Sequence, residues 1–268
     1  MSRFQAFAIH LAISLVIFAA LAALVVYLWY PGFFFETDGG WQGIRIIVLV
    51  DLVLGPLLTL VVYKAGKKGL AMDLTLIAAF QGICLLAGTW IVYSERPLAL
   101  VFADGQFNAV TADTYRGAGM PVPDFSDYPG ASPKWVMVQL PPDPIEQSRI
   151  RRELMESEQS TVLLQQYYQP FDAQARDFTE ESTAFKYVQE DDFENRGIAD
   201  FSSEQGRAAT AFKFYPYAAR YQYFYLAFDR EAHRFAGALT PYLPTDEERA
   251  RFEQARRASA GDRGASSG

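Results

Sequence analysis

The sequence predicts a membrane protein with three transmembrane α-helices followed by a periplasmic α+β domain built on an antiparallel sheet. Three observations predict it: long uncharged apolar runs in the first 95 residues, a lysine loop between two of them, and an abrupt change to soluble composition beyond Glu95. The overall apolar share of 50% conceals this division. No Lys, Arg, Asp or Glu falls between Arg3 and Glu36, nor between Asp73 and Glu95, so both runs exceed the roughly 18 residues that suggest a span. A third run, Arg45 to Lys64, qualifies if Asp51 is tolerated.

The spans are expected at about residues 7–29, 44–63 and 74–93. Each is close to the roughly 20 residues that cross a hydrocarbon layer at about 1.5 Å rise per residue. Trp29, Tyr30, Trp41, Trp90 and Tyr93 gather at one set of ends, as an interfacial aromatic belt would. Cleavage of a signal peptide after Ala22 is the alternative for the first run, but the apolar stretch continues to Tyr30 and only Arg3 precedes it. The 64–73 loop, KAGKKGLAMD, carries three lysines, whereas the 30–43 loop carries none and two acids. The positive-inside rule therefore places the former, and the amino terminus, in the cytoplasm of a bacterial inner membrane, and residues 96 onward in the periplasm. The expected division is 1–95 for the membrane domain, 96–245 for the periplasmic domain and 246–268 for a partly disordered tail.

Within the second span, VDLVLGPLLTLVVY combines a carboxylate with a helix breaker. Pro56 has no N–H for the carbonyl of Leu52 and should kink the helix, with Thr59 one turn on available to satisfy a freed carbonyl. A carboxylate at the depth of Asp51 costs roughly 2.5–3.5 kcal/mol on insertion scales, so it should face a helix interface or water. Thr89 lies at comparable depth in the third span, and an Asp51–Thr89 hydrogen bond is the structural expectation. The functional one is that Asp51, Gly55, Pro56, Thr59 and Thr89 form a groove for another polar transmembrane helix. Ala78 with Gly82 and Cys84 with Gly88 have the small-xxx-small spacing of close helix approach, which internal packing explains as well as a partner does.

Beyond the spans, RPLALVFADGQFNAV reads as a hairpin turning at Asp104-Gly105. An irregular Pro/Gly loop then leads to the strand KWVMVQLP. Asp143 and Pro144 open a helix whose RIRRE cluster is surrounded by acids and reads as a solvated face rather than a lipid contact. Residues 208–239 read as an aromatic-rich meander with a turn at Asp229 to His233, either a buried sheet face or an edge that pairs with another protein's strand.

Charge excludes one class of function. Beyond the spans the chain has 19 basic and 27 acidic residues, an excess of acids opposed to nucleic-acid binding. Cys84 is the sole cysteine, and His10 and His233 are expected on opposite sides of the membrane, so the sequence offers no disulfide, thiolate zinc site or histidine pair. No P-loop, GxGxxG, HExxH or GxSxG occurs. The acidic run QEDDFEN, 189–195, has the residue types for a divalent cation but is more simply a solvated loop. No catalytic residue, cofactor or metal is therefore expected.

Several ordered motifs resemble a known family. The run FQAFAIHLAISL, then Trp29-Tyr30-Pro31-Gly32, GGW at 39–41, the Asp51 segment with Gly55, Pro56, Leu57, Leu58 and Thr59, and Arg96-Pro97 are similar to the TfpX/TfpZ type IV pilin accessory proteins over residues 4–110. The resemblance implies an inner-membrane, chaperone-like accessory that acts with a cognate major pilin in its surface assembly or in pilus dynamics. The pilus assembly machinery is a further candidate partner. It implies no settled biochemical activity. A membrane enzyme, or a subunit of one, that covalently modifies pilin is the alternative, and a periplasmic sensor a third.

Overall fold

The computed structural model describes residues 2–175, 178, 182–252 and 254. Two compact units are formed, one by residues 1–172 with 218–222 and the other by 173–217 with 223–268.

The first unit begins with three helices long and apolar enough to cross a membrane: α1 (Arg3–Trp29), α2 (Gly40–Val62) and α3 (Leu70–Ser94). Each starts a few residues ahead of the expected limit. Ser2 and Gln5 close a capping box ahead of α1, and Gly69, in the left-handed region at φ +82°, precedes α3. Helix α2 packs against both α1 and α3. The expected disturbance at Pro56 takes the form of a widening rather than a break. Val48–Leu54 forms a π segment in which the Gly55 N–H reaches back five residues to the Val50 carbonyl, and α-helix resumes at Gly55. Wide turns of this kind absorb the register that a mid-helix proline disrupts. The carboxyl ends of α1 and α3 meet through aromatic groups: Trp29 and Tyr93 pack edge-on at 5.2 Å, and the Tyr30 hydroxyl donates to the Val92 carbonyl at 2.9 Å.

The strands of this unit follow directly. β1 (Ala99–Ala103) and β2 (Gln106–Val110) form the expected hairpin, with Asp104 and Gly105 both at positive φ, +50° and +76°. That pair of dihedrals is what a two-residue turn between right-twisted strands requires. β3 (Lys134–Val138) runs parallel to β1, and β4 (Tyr168–Pro170) antiparallel to β3. The sheet is thus mixed, mostly antiparallel with one parallel pair. Parallel pairing arises because the chain leaves β2 through α4 (Ala112–Gly117) and a long Pro/Gly loop before β3, which returns it to the same end of the sheet. β1 is buried on both faces. Val101 and its neighbours meet Val110, Tyr115, Phe125 and Val136 on one side, while Phe102 packs on Phe107 and Trp135 meets Phe107 edge-on and Phe171 at a tilt.

Helix α5 (Pro144–Ser157) opens as predicted, with Asp143 accepting from the Ile145 N–H and Pro144 in the first turn. It ends at Ser157, before Val162–Leu164, because Glu158 turns left-handed at φ +53°. Arg149 of the RIRRE cluster pairs with Glu146 and Glu153, as a solvated face would.

The second unit contains α6 (Phe185–Asp191), α7 (Arg196–Gln205) and the predicted meander, β5 (Phe212–Ala218), β6 (Tyr223–Asp229) and β7 (Phe235–Leu239), hydrogen-bonded in that order. Its core gathers Val188, Phe201, Phe212, Phe214, Tyr225 and Leu239, the buried-face alternative for the aromatic run. β7 is the terminal strand of the sheet, and Gln205 of α7 donates to its Ala236 carbonyl at 3.2 Å. The turn after β6 forms as expected, with Asp229 Oδ1 accepting from the Glu231 and Ala232 N–H groups, both at 2.9 Å. Of the expected tail, residues 246–252 are helical and those beyond 254 lie outside the described residues. Thr245 and Glu248 cap that helix reciprocally.

Candidate functional site

Asp51 is 1% exposed and faces the interior of the three-helix bundle. Its partners are not the expected one. Ser14 Oγ of α1 donates to Asp51 Oδ1 at 3.1 Å, and Gln81 of α3 directs its amide N–H groups to the same oxygen and to the Asp51 carbonyl. The expected Asp51–Thr89 bond is therefore replaced by Asp51–Gln81. Gln81 lies eight residues, about two turns, before Thr89 on α3, and its longer side chain reaches across the bundle.

The network extends through a residue with no part in the sequence-derived groove. Gln81 Oε1 lies 2.9 Å from His10 Nε2, and because an amide oxygen only accepts, that ring nitrogen carries the proton. His10 Nδ1 is 2.6 Å from Thr59 Oγ1. Thr59 also reaches the Gly55 carbonyl at 3.1 Å, which is a different group from the Leu52 carbonyl it was expected to satisfy. His10, Ser14, Asp51, Thr59 and Gln81 thus form one polar seam linking all three helices.

Gly55 makes this seam possible. A Cβ there would stand 2.1 Å from Gln81 Oε1, so only glycine lets the amide lie against α2. Pro56, beside it, is buried, and Thr89 is half-buried on α3. The structure therefore places Asp51, Gly55, Pro56 and Thr59 in the bundle interior. The overlooked members had a signal: His10 and Ser14 are four residues apart, on one face of α1, and Gln81 is the only amide in the third expected span, 74–93.

One acceptor remains. Among the described residues, Asp51 Oδ2 is buried without a hydrogen-bond partner. A buried unpaired acceptor costs about 1–3 kcal/mol, so the seam is capable of binding one more donor.

The acidic run QEDDFEN does structural work instead of gathering around an ion. Asp192 is buried and accepts from the Gly197, Ile198 and Tyr242 N–H groups at 2.7–3.0 Å, which caps α7 and ties it to the chain after β7. Asp191 accepts from the Tyr225 hydroxyl. Among the described residues, no group of three or more His, Cys, Asp or Glu is placed to hold a metal ion.

Comparison with known proteins gives this seam a context. A family described as Fimbrial assembly protein FimB matches residues 1–37, the α1 segment that supplies His10 and Ser14. The fimbrial assembly protein of Dichelobacter nodosus serogroups C1 and C2 is 33% identical over 96 residues, 35% of this chain and 73% of that protein. The chain belongs to the fimbrial assembly protein family. Two further family members from the same organism match, from serogroup I at 29% identity over 125 residues and from serogroup E1 at 33% over 96. The alignment spans about half the length of the serogroup I relative, 49%, and 37% of the serogroup E1 protein. No solved structure gives a significant match.

Proposed function

We propose that this fimbrial assembly protein is a non-enzymatic accessory of the bacterial inner membrane that holds the transmembrane helix of a cognate type IV pilin before assembly. In this reading the amino terminus is cytoplasmic, 96–245 is a periplasmic α+β domain that touches the pilin head, and 246–268 is its tail. The TfpX/TfpZ resemblance is the finer form of the same family assignment. In this reading the bundle opens along the seam that buries Asp51, Gly55, Pro56 and Thr59, so that these residues and Thr89 receive the pilin helix beside α2 and a donor on that helix completes the hydrogen bonding of Asp51.

The observation that carries this reading is the free Asp51 Oδ2 inside a candidate span of a chain whose relatives are named for fimbrial assembly. A polar helix is the occupant that such an acceptor selects, because a lipid tail has no donor to offer it.

The test is deletion of the gene in its native strain, followed by comparison of surface-sheared with cell-associated pilin and by the intact pilin mass. Lost surface pili with an unchanged mass are expected. A shifted mass would replace this reading with the pilin-modifying enzyme. If Asp51→Leu and Pro56→Leu proteins insert normally and restore piliation in full, the groove is wrong.

A further inference from the structure

A pocket of about 450 Å³ opens at the carboxyl ends of α1 and α3, where the chain passes into the sheet. Three of its lining residues are cations, Arg96, Arg116 and Lys134, against one carboxylate, Asp124. This is opposite to the acidic balance of the chain as a whole, net −7. The remaining wall includes Leu28 and Tyr93, apolar side chains in the last turns of α1 and α3, which are 61% and 38% exposed.

Two of the cations are held by neutral partners and the third by an exposed ion pair. The Arg96 guanidinium stacks 3.7 Å over the Tyr93 ring and donates to the Tyr93 carbonyl at 2.7 Å. Lys134 donates to the Gly130 carbonyl, a neutral acceptor. Arg116 pairs with Asp113 at 3.1 Å in an exposed pair that exchanges readily with another anion. Asp124 is engaged by the Ser126 N–H at 2.9 Å, which holds its carboxyl below the usual range.

We propose that this pocket binds the phosphate headgroup of a membrane phospholipid, with Arg96, Arg116 and Lys134 on the phosphate and Leu28 and Tyr93 along the start of the acyl chains. The inference rests on the reading of α1 and α3 as membrane spans. Charge complementarity selects an anionic group, and the apolar wall continuous with lipid-facing helix selects one that carries hydrocarbon. A free phosphate would use the cations and leave that wall in water.

The test is native mass spectrometry of the full chain in mild detergent, titrated with dioctanoyl phosphatidylglycerol, with dioctanoylglycerol and inorganic phosphate as competitors. One retained phosphatidylglycerol per chain is expected. Removing two charges, Arg96→Gln with Lys134→Gln, should weaken it on the order of thirtyfold, at about one kcal/mol per charge near a membrane surface. Arg116→Gln, at an exposed position that folding does not depend on, should weaken it about fivefold. Arg149→Gln with Arg152→Gln, on α5, should change nothing.

Retention by folded Arg96→Gln/Lys134→Gln and Arg116→Gln proteins equal to that of the unaltered chain would overturn the site. So would displacement by millimolar phosphate, which would mark a free-anion pocket, or by dioctanoylglycerol, which would mark an acyl groove. Alkaline carbonate extraction of membranes separates the two readings. A chain that stays in the pellet yet shows no headgroup preference loses only the lipid site. Release into the supernatant would remove the membrane reading and this site with it.

Discussion

At the scale of single residues, buried carboxylates are used as organisers of backbone and side-chain donors. Asp192 satisfies three N–H groups that would otherwise be stranded at the start of α7 and beyond β7. Asp192→Ala should therefore destabilise the second unit by on the order of 3 kcal/mol, read from denaturant midpoints of the detergent-solubilised chain; a change below about 0.5 kcal/mol would show that water replaces the carboxylate. Two well-partnered carboxyls give a pH signature. The Ala232 and Glu231 N–H groups, with Arg207, hold Asp229 down to about 2, and the Thr245 N–H, Tyr242 hydroxyl and Arg196 do the same for Glu248. Both bind a proton more weakly folded than unfolded, where a carboxyl titrates near roughly 4. Their stabilisation is thus complete above that value and is lost as pH falls through about 2. Unfolding midpoints of the chain should fall between those limits, and the fall should shrink in Asp229→Asn.

At the scale of elements, α2 is the helix that the others are built around. Its π segment and Gly55 bring the Gln81 amide against the backbone, so steric room and polar satisfaction depend on one missing side chain. Gly55→Ala should push Gln81 away from Asp51 and cost about 1–3 kcal/mol of bundle stability. The expected readout is an earlier thermal transition in detergent, restored in part when Gln81 is shortened in Gln81→Ala; a Gly55→Ala protein as stable as the parent would mean α3 yields freely. Tyr30→Phe removes the hydroxyl that ties α1 to the Val92 carbonyl and should cost about 1 kcal/mol. Sheet edges are managed at the same scale. β4 is short and ends in Pro170, and Gln205 occupies one carbonyl of the terminal strand β7.

At the scale of the whole molecule, the open matter is which side of the membrane each part occupies. The lysines of the 64–73 loop predict a cytoplasmic location for it and a periplasmic one for the sheet. In Cys84→Ser protein, a cysteine placed at Lys67 should resist an impermeant maleimide applied from outside the inner membrane, and one placed at Gln106 should react. The reverse pattern would invert the topology and place the domain beyond α3 on the cytoplasmic side.

Spans, their order and the β1–β2 hairpin were legible in the sequence because each depends on local pattern: an uncharged run, a proline-capped helix start, an Asp-Gly turn. The sequence alone determined that this chain has three apolar helices ahead of a sheet, and that Asp51 must face a helix interface or water rather than lipid. Which partners it finds was decided by tertiary structure. Thr89 matched Asp51 in depth, but depth says nothing of reach or of the rotation of a helix about its axis, and those two quantities bring Gln81, Ser14 and His10 to the seam. The parallel pairing of β1 with β3 was equally beyond the sequence. Long-range register depends on how loops close and cores pack, and no window of neighbouring residues contains that information.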